Sequence, residues 1–225
     1  MGHLEFGPGG YPSKNCIAPN VCGSCGTPAP VRYSGRVRSD RGRSTLIVPQ
    51  FQATRMDDTF SVTPDEFRAA LGRFSSGVTV ITVETPSGDI HGMTASSFCS
   101  VSLRPPLVLV CVDHLAETYL HVRERGRFGV SILKEDQEAL SEFFADPERN
   151  PEAAHRLDIG YNQMKSGMPV LANTLANLDC TVVQAHAAGD HSIFVAEVKE
   201  VSVSEGPPLL YFRGRYGACR ESKEA

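Results

Sequence analysis

The sequence predicts a mainly β domain, a closed antiparallel barrel with peripheral helices. Three observations point there. Six or more segments read as strands with few helices between them, which disfavours alternating β-α-β units. No Gly-x-Gly-x-x-Gly motif follows a strand and no Gly-Lys-Ser/Thr loop occurs, so neither a Rossmann nor a P-loop protein is expected. The 225 residues, 41% hydrophobic and 21% charged, supply one well-buried core and exclude wholesale disorder.

The elements follow in order. Thr63-Pro64-Asp65-Glu66 is a helix start: Thr63 caps, Pro64 suits the first helical position and Glu66 completes a capping box. Phe67, Ala70, Leu71 and Phe74 recur at helical spacing as one buried stripe, and Gly77 stops the helix. Val78 to Val83 is β-branched and predicts a strand. Pro86-Ser87-Gly88-Asp89 turns the chain into a second strand from Ile90. Leu107 to Val112, fully apolar, predicts a central strand. Ala116 to Arg125 reads as a helix with Leu120 and Val122 inside and Gly126 as its stop. Phe128 to Leu133 is a strand and Gln137 to Phe144 a short helix. Residues 146–168 are polar and Pro-containing, hence loop-rich. Strands return at Leu178 to His186, Ser192 to Val203 and Leu209 to Phe212.

Composition splits near Met56. Residues 1–55 hold 8 of the 20 Gly and 6 of the 15 Pro, with 7 Lys+Arg against 2 acidic residues. The remainder carries 15 basic and 24 acidic residues. So much Gly and Pro with scattered apolar residues does not offset ordering entropy. Residues 1–55 are therefore expected to be a disordered basic tail, residues 56–225 the folded domain, and Met56 an alternative start. In the tail, Cys16, Cys22 and Cys25 form half of a zinc knuckle without a second pair, and unstructured thiols are the favoured state. Arg32, Arg36, Arg38, Arg41 and Arg43 lack interleaved aromatics apart from Tyr33, so no nucleic-acid partner is expected. The longest clean apolar run, Leu107 to Val112, is far short of the roughly 20 residues that span a bilayer. No signal-type block opens the chain, and a cytoplasmic location without membrane association is expected.

Three stretches carry a resemblance. They are Phe74-Ser75-Ser76-Gly77-Val78-Thr79-Val80-Ile81-Thr82, then His91-Gly92-Met93-Thr94-Ala95-Ser96-Ser97-Phe98 running on to Leu103, and Gly189-Asp190-His191 followed by Phe194 to Val198. Together, in this order, they resemble the flavin reductase family with its flavin-binding split barrel of Greek-key type. The resemblance covers about residues 60–217 and reaches Tyr216 in the closing Leu209-Leu210-Tyr211-Phe212-x-Gly214-x-Tyr216. Ala196 stands where the family usually shows Gly.

The resemblance implies an NAD(P)H:flavin oxidoreductase, generally a homodimer, that hands reduced flavin to a separate monooxygenase. FMN or FAD would be the flavin, and NADH or NADPH the hydride donor. Thr94, Ala95, Ser96 and Ser97 offer hydroxyls and close backbone approach suited to phosphate and ribityl groups. Thr79 adds a further hydroxyl, and Thr118 lies where a helix N-terminus favours phosphate. Gly189, Asp190 and His191 would receive nicotinamide, with His191 as the positioning and catalytic group. The cofactor carries the redox chemistry, so no metal is expected. A flavin-dependent oxygenase or oxidase with tightly held flavin, and a non-catalytic flavin- or heme-type binding module, remain alternatives. His91 flanks the flavin loop, while His114, His121, His155 and His186 read as surface or loop residues. Cys99, Cys111, Cys180 and Cys219 read as small core or surface thiols.

Overall fold

The computed structural model describes residues 61–219; the expected tail, its cysteines and Met56 lie outside the described residues. The first element is α1 (Pro64–Leu71), with Thr63 and Glu66 in a reciprocal capping box. It ends earlier than the sequence predicts, at Gly72, whose N–H bonds the Arg68 carbonyl. Its apolar stripe is also not buried: Phe67, Leu71 and Phe74 are 49%, 40% and 78% exposed. Among the described residues no element covers the face that the 3.6-residue period creates.

The strands are β1 (Ser76–Gly77), β2 (Thr79–Glu84), β3 (Ile90–Ala95), β4 (Phe98–Leu103) and β5 (Pro106–Asp113). After α2 (Glu117–Arg125) come β6 (Arg127–Ile132), α3 (Glu138–Ala145) and α4 (Pro151–Arg156). Then follow β7 (Tyr161–Gln163), β8 (Pro169–Leu171), β9 (Ala176–Ala188), β10 (His191–Val203), β11 (Leu209–Phe212) and β12 (Arg215–Ala218). The segment expected to be loop-rich thus carries a short helix and a small β7-β8 ladder.

Seven strands form one antiparallel sheet in the order β3-β2-β6-β9-β10-β5-β4. Its two edges, β3 and β4, are joined by only Ser96 and Ser97. Two linking residues reach about 10 Å, whereas seven flat strands would separate the edges by about 29 Å. The sheet is therefore rolled. It is not the closed barrel expected, because no ladder joins β3 to β4 among the described residues. Each side of the seam is anchored outward instead. Thr79 Oγ1 donates to the Ala95 carbonyl at 2.7 Å, holding β3 to β2, and Ser97 Oγ donates to the Cys111 carbonyl at 2.9 Å, holding β4 to β5.

Two apolar clusters flank β2, which explains burial on both of its faces. Ile81 and Val83 join Val110, Val112, Phe128, Val130 and Phe194 inside the roll. Val78 and Val80 point the other way, to Leu133, Phe144, Leu171 and Leu209. Each fully buried Val or Ile contributes about 1.5–3 kcal/mol. β5 sits next to the edge rather than centrally, and its burial alternates, so the apolar run faces the core on one side only. α2 turns Val122 inward, but Leu120, expected inside, is 48% exposed. Gly126, at φ +65°, ends this helix as the sequence predicts. Among the described residues no helix is long and apolar enough to cross a membrane.

Candidate active site

The seam between β3 and β4 gathers most of the hydroxyls singled out in the sequence, but three of them are already engaged. Thr79 and Thr94 are buried, and Thr94 Oγ1 donates to the Ser141 carbonyl of α3 at 2.7 Å. Ser97 Oγ, besides its bond to the Cys111 carbonyl, accepts the Cys111 N–H at 3.3 Å. Ala95 is buried beside them. Ser96 differs. It is half-buried, and its hydroxyl makes no hydrogen bond among the described residues, which leaves it a donor for an incoming group. Ser96 lies just past the end of β3, in the two-residue link, where strand pairing no longer fixes it.

The Gly189–Asp190 turn joins β9 to β10, with Ala188 paired to His191. Gly189 sits at φ +65°, a conformation L side chains rarely adopt, so the tight turn needs glycine. Asp190 Oδ1 accepts from His191 Nδ1 at 2.6 Å. The imidazole is 14% exposed while the carboxylate is 71% exposed. With Nδ1 turned to the carboxylate, Nε2 is free to face a ligand. The turn is braced from behind: the His114 N–H donates to the Asp190 carbonyl at 2.9 Å, and His114 Nε2 bonds Ser192 Oγ at 2.9 Å. His114, read as a surface residue, is thus a strut. His191 opposes Asp113 in the ladder, and Ser97 bonds Cys111 two residues earlier on the same strand. The fold thereby brings the Gly189–His191 turn and the seam to one end of the sheet.

Thr118 is not at the seam. It is 1% exposed, and its Oγ1 bonds Nε2 of His91 at 2.8 Å. His91 was expected to flank the flavin loop, yet it faces α2. Burial first, then the Arg149 guanidinium, hold the His91 pKa down to about 4, against the opposing pull of Glu117. Glu117 titrates below its ordinary range because His121 hydrogen-bonds it and His91 lies near. His121 is therefore part of a network and not a free surface residue. Glu117 and His121 at i and i+4 were visible in the sequence; their convergence with His91 was not. Tyr216, on β12, places its hydroxyl 2.9 Å from Ser141 Oγ, and burial pushes its pKa up to about 12. Ser141 thus links Thr94 to Tyr216 through its backbone and side chain. The four expected thiols are unpaired, Cys180 being buried and Cys99 and Cys219 exposed.

A cavity of about 440 Å³ opens between β3, α3 and α4, lined among others by Ile90, Phe143, Phe144, Arg149, His155 and Tyr161. Ile90 begins β3 and Ser96 follows its end, so this cavity lies about 20 Å along the strand from the seam.

The chain is similar to known proteins in sequence and in fold. The model of the flavin reductase like domain matches residues 71–220. A protein named NADH-dependent flavin reductase from a Rhodococcus species is 45% identical over 157 residues, 69% of this chain and 86% of that protein. The reductase component of a 4-nitrophenol 4-monooxygenase/4-nitrocatechol 2-monooxygenase from Rhodococcus opacus is 41% identical over 152 residues, 68% of this chain and 79% of that protein. Among solved structures, the NADH:FAD oxidoreductase SgcE6 of Streptomyces globisporus, in complex with NAD and FAD fragments, superposes with a TM-score of 0.64 at 32% identity, covering 74% of this chain and 99% of its own. A match over this span, in sequence and in fold, assigns the chain to the flavin reductase like family.

Proposed function

We propose that this chain is an NAD(P)H:flavin oxidoreductase that releases reduced flavin to a partner monooxygenase. The observation that carries the reading is the placement of the His191 turn and the Ser96 seam at one end of the same sheet. A bound flavin and nicotinamide supply the chemistry, hydride transfer between the two rings. The chain's own residues bind and orient. The Ser96 hydroxyl, with the backbone around Ala95 and Ser97, meets the flavin's phosphate or ribityl oxygens. The His191 Nε2 holds the nicotinamide carboxamide, and the Asp190 carboxylate keeps the imidazole in one orientation. Thr79, Thr94 and, through Ser141, Tyr216 brace the seam from behind, whereas Thr118 lies away from it against His91. The donor set fits, since small hydroxyls and exposed backbone accept such groups without a Rossmann turn.

NADH is favoured over NADPH, because two of the proteins named above are NADH enzymes by name and no arginine cluster for a 2′-phosphate is identifiable in the sequence. The monooxygenase partner is supported by the Rhodococcus opacus reductase component. The seam supports the split-barrel description. The exposed stripe of α1, continued by Phe212 at 45% exposure beside Gly72, supports a homodimer in which a second copy covers it. The composition break at Met56, with the family match beginning at residue 71, supports residues 1–55 acting outside the catalytic unit. A cytoplasmic location suits the use of a reduced nicotinamide. The test is direct. Purified protein is given FMN or FAD, then NADH or NADPH, under air, and the nicotinamide absorbance is followed. Consumption that requires added flavin supports the reading; no consumption with any of the four pairs overturns it.

A further inference from the structure

Outside the seam, one cluster of ligating side chains among the described residues is not used by the flavin chemistry. Glu117 and His121 stand one turn apart on α2, on the side that meets His91 of β3. One ligand atom from each of the three lies within 4.8 Å of the others. His121 Nε2 is 3.2 Å and His91 Nδ1 3.7 Å from the Glu117 carboxylate. The two imidazole rings are 5.4 Å apart and tilted by 56°. We propose that His91, Glu117 and His121 form a binding site for a divalent transition-metal ion of the zinc, nickel or cobalt class.

Three features beyond proximity carry this. His91 is oriented from outside the cluster: its Nε2 bonds the buried Thr118 hydroxyl at 2.8 Å, and with Nε2–H donating, the Nδ1 lone pair faces Glu117. Metal-binding histidines are held in the same way by a partner on the far ring nitrogen. Second, the spot already attracts a cation. Arg149 Nη2 donates to His91 Nδ1 at 3.2 Å, and Arg149 has no carboxylate within ion-pair distance among the described residues. Third, His121 Nδ1 is buried without a hydrogen-bond partner, so the ring's one hydrogen bond among the described residues is the one that turns Nε2 into the cluster toward Glu117.

Two imidazoles and one carboxylate with an open position suit zinc and its neighbours in the first transition row. Calcium and magnesium, which take six or more oxygens, are disfavoured. The ion displaces the Arg149 guanidinium from Nδ1. That guanidinium lies 5.9 and 5.7 Å from the ring centres of Phe143 and Phe144 on the cavity wall, so the cavity can receive it. Bound metal staples α2 to β3.

The test is a titration of the chelator-stripped full chain with Co²⁺ alone, followed by visible absorption. The expected result is weak d–d bands saturating near one equivalent, without the thiolate charge-transfer band that Cys16, Cys22 or Cys25 would produce. Glu117→Gln and His121→Ala each weaken binding by roughly tenfold or more, and Arg149→Met tightens it by removing the competing cation. Glu117 is 65% exposed, so its substitution does not threaten folding. Absence of d–d bands, a thiolate band alone, or wild-type affinity in both ligand variants overturns the proposal. Unchanged or weaker binding by Arg149→Met overturns the displacement of the guanidinium.

Discussion

Nδ1 of His191 lies 2.6 Å from Oδ1 of Asp190, and the backbone of Asp190 is itself held by the His114 N–H. The imidazole is thus aimed by a turn that the rest of the fold keeps in place. In His191→Ala the hydride step should fall on the order of a hundredfold, the cost of misplacing the donor by about an ångström. Flavin affinity should change far less. Stopped-flow reduction of pre-bound flavin checks this, and a wild-type rate at all NADH concentrations makes His191 structural. Asp190→Asn keeps an acceptor for Nδ1–H and should cost only a few-fold.

Ser96 and Thr94 should separate binding from stability. The Ser96 hydroxyl has no partner of its own, so Ser96→Ala should leave the unfolding midpoint unchanged. Loss of one hydrogen bond to a charged ligand group, about 1.5–3 kcal/mol, should weaken flavin by roughly one to two decades. Thr94→Ala instead removes the bond to the Ser141 carbonyl and should destabilise the fold by about 1–3 kcal/mol. Flavin titration and urea unfolding of both variants decide; the reverse pattern contradicts the assignment.

Gly129 is required by close packing. A Cβ there would meet Thr82 Oγ1 at 2.5 Å, the Pro169 carbonyl oxygen at 2.7 Å and Val170 Cγ1 at 2.9 Å. Thr82 Oγ1 donates to that same Pro169 carbonyl at 2.6 Å, so the methyl also disturbs the bond tying β2 to β8. Gly129→Ala should cost about 1–3 kcal/mol or more. Chemical denaturation measures it, and a change within ~0.5 kcal/mol, the range of ordinary surface substitutions, contradicts the packing argument.

Tyr216 gives the pH dependence. Burial holds its neutral form, raising the folded pKa to about 12 from the ordinary 10.0. Its contribution to stability is fully present below pH 10 and is lost as pH rises toward 12, because the unfolded chain releases that proton first. In a phenolate absorbance titration Tyr216→Phe should remove a late-titrating tyrosine and flatten the alkaline loss of stability. Burial also raises the Tyr161 pKa, so the test is the size of the late phase: if Tyr216→Phe leaves it undiminished, burial does not hold Tyr216 neutral as described.

The helix start at Thr63, the stop at Gly126 and most strands were legible because caps, glycines and β-branched runs act locally. The place of β5 next to the edge was not, since an apolar run reports burial and not strand order. The exposed stripe of α1 was misread for a related reason: periodicity marks a face that needs cover without saying which molecule provides it. At the candidate site, Thr79, Thr94 and Ser97 were singled out in the sequence for their hydroxyls. Which of them spend their hydroxyl on a backbone carbonyl depends on Cys111 and Ser141, remote in sequence. The approach of His91 to Glu117 and His121 depends on tertiary contact in the same way.

The two-residue link at Ser96–Ser97 has a kinetic consequence. β3 and β4 are made early in the chain, but no strand ladder joins the β3-β2-β6 and β5-β4 groups until the β9-β10 hairpin, about eighty residues later, enters between them. Such non-local pairing slows folding. The corner carrying Ser96 is finished only when the last long strands are in place, so partly folded chains lack the full arrangement of Ser96 and His191 there. A ligand held at this corner therefore recognises the whole sheet and not one hairpin. At a hundred times its dissociation constant it would raise the global unfolding free energy by about 2.7 kcal/mol, and newly made chains would complete their folding most readily where flavin is abundant.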